Sequence, residues 1–270
     1  LGLPATLAAL ASSAASVQEL LSPELFRAVD DAALAGASLG ASLGPDRTRF
    51  GWTGGLAGSV GPDLRQALER LLGDLAAVAG LAQETMVRGP GWYLLDAGRR
   101  VERAFALVDV LGSTLVGRPA HHLPAGLLEA LLGQAASLIA YRRRYRSDPE
   151  LAAVTGLLVV DGTNPRSLRF QLDALVHDIG HLPEGIHAFT QQALVGEAAE
   201  LASRVAAADP VTVARAGPDG HADQLAGLID RTRAGLSRLA TGINLQYIAH
   251  VPGAQLPTGT LPDVPQEAAS

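Results

Sequence analysis

The chain has 270 residues and a formal net charge of −6, and it is 48% hydrophobic but only 4% aromatic. All 21 basic residues are Arg and they are interleaved with acids, which argues against a nucleic-acid binder, whose basic excess gathers on one face. The absence of Cys excludes disulfides, Cys-ligated zinc and thiol catalysis. A core must be built from Leu, Ala and Val, a composition suited to packed helices rather than to aromatic-rich sandwiches.

Residues 1–18 carry no charge, and the stretch Leu3–Ala15 superficially resembles the apolar part of a signal peptide. No basic segment precedes it, Ser12, Ser13 and Ser16 dilute it, and the first residue is Leu. A cut inside a larger protein is therefore expected rather than secretion. Residues 5–35 read as helix, interrupted at Ser22-Pro23-Glu24, where Ser is a good N-cap, Pro suits the first helical position and Glu complements the helix start. From 36 to 62 the chain turns to Gly and Ser, and a long loop is expected. It is not a phosphate-binding loop, which needs a Lys that this chain lacks.

Helical periodicity resumes over 63–88, with Leu64, Leu68, Leu71, Leu75, Val78 and Ala82 on one face, and ends at Gly89-Pro90-Gly91. The next helix, 92–116, sets Leu94, Gly98, Val101, Phe105, Val108 and Gly112 on its apolar stripe, the two glycines admitting a close neighbour. After a loop at 117–124 a helix covers 125–146, ending in Tyr141-Arg-Arg-Arg-Tyr145-Arg146. The apolar run 151–160 fits a buried helix better than a strand among such neighbours. Helices then follow at about 164–180, 184–208 and 222–248, with a loop around Pro210 to His221. Residues 251–270 hold four prolines and few large apolar groups, and a disordered tail is expected. No segment after residue 18 reaches the roughly 20 apolar residues of a membrane span.

Three stretches carry chemistry. The first is Glu84-Thr-Met-Val-Arg88-Gly-Pro-Gly-Trp92-Tyr-Leu-Leu-Asp-Ala-Gly98-Arg99-Arg-Val-Glu102-Arg103-Ala104. Glu102 lies about 80° round the helix from Leu94, at the edge of the apolar stripe, where guanidinium groups can hold a partly buried carboxylate bidentately. The second is Ala140-Tyr141-Arg142-Arg143-Arg144-Tyr145, whose three adjacent Arg side chains point in three directions. The third is Asp161-Gly-Thr-Asn164-Pro165-Arg166-Ser167-Leu168-Arg169-Phe170. There Asn164 reads as N-cap, Pro165 as first helical residue, and Leu168, Leu172, Leu175 and Ile179 as the apolar stripe, leaving Arg166, Arg169, Asp173 and His177 on the polar side. Two readings are open. These residues are caps and interhelical salt bridges that set the register of a bundle, or the Arg cluster and Glu102 line a cleft for an anion or a peptide carboxylate.

In this order the three stretches resemble the alpha-E family, a bacterial all-α domain with a Glu-Arg motif. Weaker similarity covers 11–31 and the last helix near Gln246-Tyr247. By the resemblance a complete member begins with an earlier helix carrying its own Glu-Arg pair, and this chain corresponds to the later part. The candidate polar cleft is then Arg88, Arg99, Glu102, Arg103, Tyr141, Arg143, Asn164, Arg166, Ser167 and Arg169. The resemblance implies an accessory module, without a cofactor of its own, for a circularly permuted ATP-grasp protein that forms amide bonds on a peptide. The ATP-grasp partner is fused or encoded nearby, and a transglutaminase-like protease is a further expected partner.

A competing enzyme reading rests on His177-Asp178-Ile-Gly-His181, which is similar to the His-Asp core of HD metal-dependent phosphohydrolases. That superfamily needs a further His upstream and an Asp downstream. The nearest upstream pair, His121-His122, falls in a loop, and Gly180 and Pro183 end the helix where the second imidazole would sit. The expectation is therefore an all-α bundle of about seven to eight helices, one domain over 1–250, cytoplasmic, with no metal, nucleic-acid or membrane partner.

Overall fold

The computed structural model describes residues 2–47, 62–120, 123–184 and 190–249. Among them it holds eleven helices and no strand, so the all-α class stands and the helix count exceeds the sequence estimate. They are α1 (Leu3–Ala15), α2 (Pro23–Arg47), α3 (Pro62–Thr85), α4 (Pro90–Leu115), α5 (Ala125–Gln134), α6 (Leu138–Tyr145), α7 (Leu151–Thr155), α8 (Leu168–Gly180), α9 (Gln191–Ala206), α10 (Pro210–Val213) and α11 (Asp223–Ile243). The chain groups into two compact units, Leu1–Trp92 and Tyr93–Ser270. The expected tail at 251–270, the second half of the expected Gly-rich loop and the His121-His122 pair lie outside the described residues.

In the first unit α1, α2 and α3 pack in antiparallel succession. Ser22 caps α2 as its position foretells, its hydroxyl accepting from the Leu25 N–H at 3.2 Å, with Pro23 as first helical residue. The loop expected from residue 36 is a correction, because α2 continues to Arg47. Glycines there serve contact rather than flexibility. A Cβ on Gly36 would come within 2.3 Å of Leu7 Cδ1, and one on Gly40 within 2.9 Å of Pro4 Cγ, so α1 lies directly on the bare backbone of α2. Two small apolar clusters hold the three helices, Leu7 with Ala32, Leu39 and Leu71 toward one end, and Ala14 with Leu25, Val29 and Ala82 toward the other.

The second unit is built around one apolar cluster drawn from α4, α5, α6, α7, α8, α9 and α11. The run 151–160 is helical as expected, α7 continuing into a single π-helical turn, Gly156–Val160, whose Leu157, Leu158 and Val159 are fully buried. On α8 the expected stripe Leu168, Leu172, Leu175 and Ile179 is the buried one. On α4 it is rotated. Ala97, Val101, Ala104, Val108, Leu111 and Leu115 are buried while Leu94 and Phe105 are only partly covered. The helix expected over 125–146 is broken in two. Ala136 takes a left-handed φ of 49°, and the Ser137 N–H returns to Leu132 O at 2.8 Å while the Ala136 N–H returns to Gly133 O at 3.0 Å. This is a Schellman closure with Ala where Gly is usual, so the break carries no Gly signal.

Of the two α4 glycines expected to admit a neighbour, only Gly112 does, against Arg233 and Ile229 of α11; Gly98 faces open space. On α11, a Cβ at Gly235 would meet both Leu201 methyls of α9 at 2.6 Å. Gly235→Ala should destabilise the second unit by about 1–2 kcal/mol, overpacking outweighing the gain of about 1 kcal/mol in helix propensity. Gly98→Ala should stabilise it by up to about 1 kcal/mol. Urea unfolding of the two variants decides this, and shifts of the same sign would contradict the packing described.

Candidate functional site

The polar residues of the second unit collect where α4 faces α8. Sequence reasoning placed Glu102 there, but Glu102 is exposed and the buried carboxylate is Asp96, which is 2% exposed. Its Oδ2 accepts from Arg100 Nε at 3.0 Å and Arg100 Nη2 at 2.8 Å, and Arg99 Nη1 lies 3.3 Å from its Oδ1. The pattern Asp96, Arg99, Arg100 at i, i+3 and i+4 was the available signal. Arg100 also donates to Gln171 Oε1 of α8 at 3.4 Å.

Asp178 of α8, also 2% exposed, lies beside Asp96. Burial is the main reason its carboxyl is pushed up to about 6, with the Asp96 charge adding to the rise and the His177 hydrogen bond and Arg100 opposing it. Asp96 Oδ1 and Asp178 Oδ2 have no hydrogen-bond partner among the described residues. On the outer side of Asp178, His177 Nδ1 is 3.3 Å from Asp178 Oδ1. The His177 and His181 rings are 4.3 Å apart, and His181 stacks on Tyr93 at 4.5 Å. His181 Nδ1–H donates to the His177 carbonyl at 2.7 Å. The Asp178 carboxyl is thus buried within the influence of Asp96, and no group of three His, Asp or Glu side chains able to hold a metal forms among the described residues.

The third motif is a folded connection. Ser167, not Asn164, is the N-cap of α8, its hydroxyl accepting from the Phe170 N–H at 3.1 Å and donating to Asp161 O at 2.5 Å. Buried Asn164 donates to Ser137 Oγ (3.2 Å) and Leu157 O (3.0 Å) and accepts from the Arg166 N–H (3.1 Å), the short loop of an Asx turn. Gln171 Nε2 donates to Pro165 O at 2.7 Å. Burial works against ionisation of Asp161, but hydrogen bonds from Thr163 and the Arg144 guanidinium outweigh it and hold the carboxyl below its usual range.

The remaining expected residues disperse. Buried Tyr141 ties down the following loop, its hydroxyl donating to Asp148 O and accepting from the Glu150 N–H, both at 3.2 Å. Arg142 pairs with Glu129 and Arg144 with Asp161, while Arg143 is exposed. Arg169 reaches Asp173 at 3.5 Å. Arg88, in the first unit, donates to Gln83 O at 2.6 Å and sits 4.0 Å over the Trp92 ring.

Two expected residues do meet. Arg103 of α4 and Arg166 of the third motif line a half-open cavity of about 180 Å³ with Gln134, Gln171 and the apolar Ala106, Leu107, Val110 and Ala135. Neither Arg has an ion pair among the described residues. Burial lowers the Arg103 pKa most, followed by the like charges of Arg99, Arg166 and Arg100, with Asp96 acting in the opposite sense. The cavity is thus a pole of positive charge with one apolar wall.

A family model described as "Alpha-E: A predicted alpha-helical domain with a conserved ER motif" matches residues 2–248. Glu-Arg dipeptides stand at Glu69-Arg70 on α3 and at Glu102-Arg103 on α4. Uncharacterized proteins of Mycobacterium bovis and of two Mycobacterium tuberculosis strains, CDC 1551 and H37Rv, are each 32% identical over 196 residues. The match covers 72% of this chain and 22% of theirs, so the chain spans only a small part of the length of these relatives. No solved structure matches it significantly.

The raised Asp178 fixes the sign of a pH effect. Between about pH 4, the ordinary carboxyl range, and about 6, the native state keeps a proton that the unfolded chain releases. This contribution to stability is full below that window and is lost as pH rises through it. Asp178→Asn, neutral at every pH, should raise the melting temperature above that of the unsubstituted chain at pH 8, with the gap closing by pH 4. A gap of the same size at both ends would show that Asp178 is not the titrating group.

Proposed function

Since the chain belongs to the Alpha-E family, we propose that it is an accessory, non-catalytic module of a circularly permuted ATP-grasp amide-ligase system, holding an acidic peptide group for ligation. The observation that carries this reading is the pair Arg103 and Arg166, without acidic partners among the described residues, at a cavity whose remaining lining is largely apolar. A guanidinium pair of this kind takes an anion, a carboxylate among them, through paired N–H donors. The buried carboxylates lend support in a negative sense. Asp178 is buried beside Asp96 and His181 stacks on Tyr93 of α4, so two of the side chains that a phosphohydrolase would use have neighbours within the protein.

The much greater length of the mycobacterial relatives fits a module working beside other parts of one polypeptide. No described helix is long and apolar enough to cross a membrane, which accords with a cytoplasmic place beside an ATP-dependent ligase. A transglutaminase-like protease acting on the same peptide is the second partner in this scheme.

The test is reconstitution with the ATP-grasp protein fused to the chain or encoded next to it. The module should co-purify with that protein and increase ATP-dependent amide formation on a peptide substrate, and Arg166→Gln should reduce the increase while leaving the complex intact. No complex and no effect on ligation would refute the proposal.

A further inference from the structure

The cavity at Arg103 and Arg166 restricts its ligand further than charge alone does. It is assembled from three separate pieces of chain, α4, the α5 end and the connection into α8 with its first turns, and each contributes at least one polar group. Arg103 comes from α4, Gln134 from α5, and Arg166 and Gln171 from the connection and α8. Gln171 is buried and already committed, its amide donating to Pro165 O and its carbonyl accepting from Arg100. It stiffens the floor and offers no further donor toward a ligand. Arg99 and Arg100 are held by Asp96, which leaves the Arg103 and Arg166 guanidiniums as the charged donors of the cavity that have no ion pair among the described residues.

Beside them Ala106, Leu107, Val110 and Ala135 add apolar surface to the lining, the first three on the same face of α4 as Arg103. Its volume of about 180 Å³ equals roughly six waters at about 30 Å³ each, the space of one amino-acid residue rather than of a bare ion. A free phosphate or sulfate would leave the apolar part of the lining uncovered, whereas apolar surface is best covered by an apolar group. A carboxylate attached to an apolar group satisfies the guanidiniums and the apolar lining at once.

The geometry points to the Arg103–Arg166 cavity as a site for the free C-terminal carboxylate of a peptide ending in a small or medium apolar residue. The two guanidiniums clasp the carboxylate, and the terminal side chain lies on Ala106, Leu107 and Val110. This rests on the module reading above and names the ligand that such a module would hold.

Titration of the full chain by NMR with N-acetyl-leucine, N-acetyl-leucinamide and inorganic phosphate tests it. N-acetyl-leucine should bind saturably, with shifts confined to α4, the α5 end and the start of α8. The amide and phosphate should each bind at least tenfold more weakly. Arg103→Gln and Arg166→Gln should each weaken N-acetyl-leucine binding at least tenfold. Arg166 is the more exposed of the two and its variant is expected to fold, with circular dichroism as the check. Equal binding of acid and amide, phosphate binding as tight as N-acetyl-leucine, wild-type affinity in Arg166→Gln, or no binding by any probe would each overturn the assignment. No ligase is present in this titration, so its failure removes the ligand and leaves the module reading to stand or fall on co-purification.

Discussion

A carboxylate buried among Leu, Ala and Val is the constraint on which the polar half of this protein depends. An unpaired charge at the Asp96 position would cost several kcal/mol, and the helix answers it from its own next turn, with Arg100 gripping one oxygen through two nitrogens and Arg99 approaching the other. This arrangement has two consequences. A second carboxyl packed against the first, that of Asp178, holds its proton to a higher pH than usual. The two guanidiniums taken up by Asp96 also separate the arginine cluster into a paired half and a half that faces the cavity.

The connection that carries Arg166 is organised by the same need to satisfy buried polar groups. Between the π-helical turn and α8 the connection buries Asn164 and Ser167, whose polar groups must find partners. Asn164, Ser167 and Gln171 find them in Ser137, Leu157, Asp161, Pro165 and Phe170. Most of the motif is therefore framework. Its product is a rigid path that presents one arginine beside another from α4. The structural and functional readings of the motif divide between its residues rather than compete for all of them.

Particular elements show how far a local pattern reaches. The α8 stripe and the Ser22-Pro23 helix start could be read directly, because each depends on neighbours within a turn or two. The α5–α6 break could not, since Ala136 adopts a conformation that local propensity assigns to Gly. Residues 36–47 were misread for the opposite reason. Glycine weakens an isolated helix by about 1 kcal/mol per residue, but at Gly36 and Gly40 the absent side chains are what let α1 approach, and that gain is invisible without the second helix. The α4 stripe was rotated by a similar effect, small Ala97 and Ala104 lying innermost where larger side chains were expected.

By itself the sequence determined the helical class, the Leu, Ala and Val core and the family, because composition, 3.6-residue periodicity and ordered motifs are properties of the chain alone. It also contained both members of the cavity pair, Arg103 and Arg166, among ten residues it marked. Only the tertiary structure decided which of the ten converge, and that Asp96 rather than Glu102 is the carboxylate taken into the core. Those outcomes turn on which face of α4 meets α8. Burial and charge pairing across that contact are set by residues some seventy positions apart, beyond the reach of any local pattern.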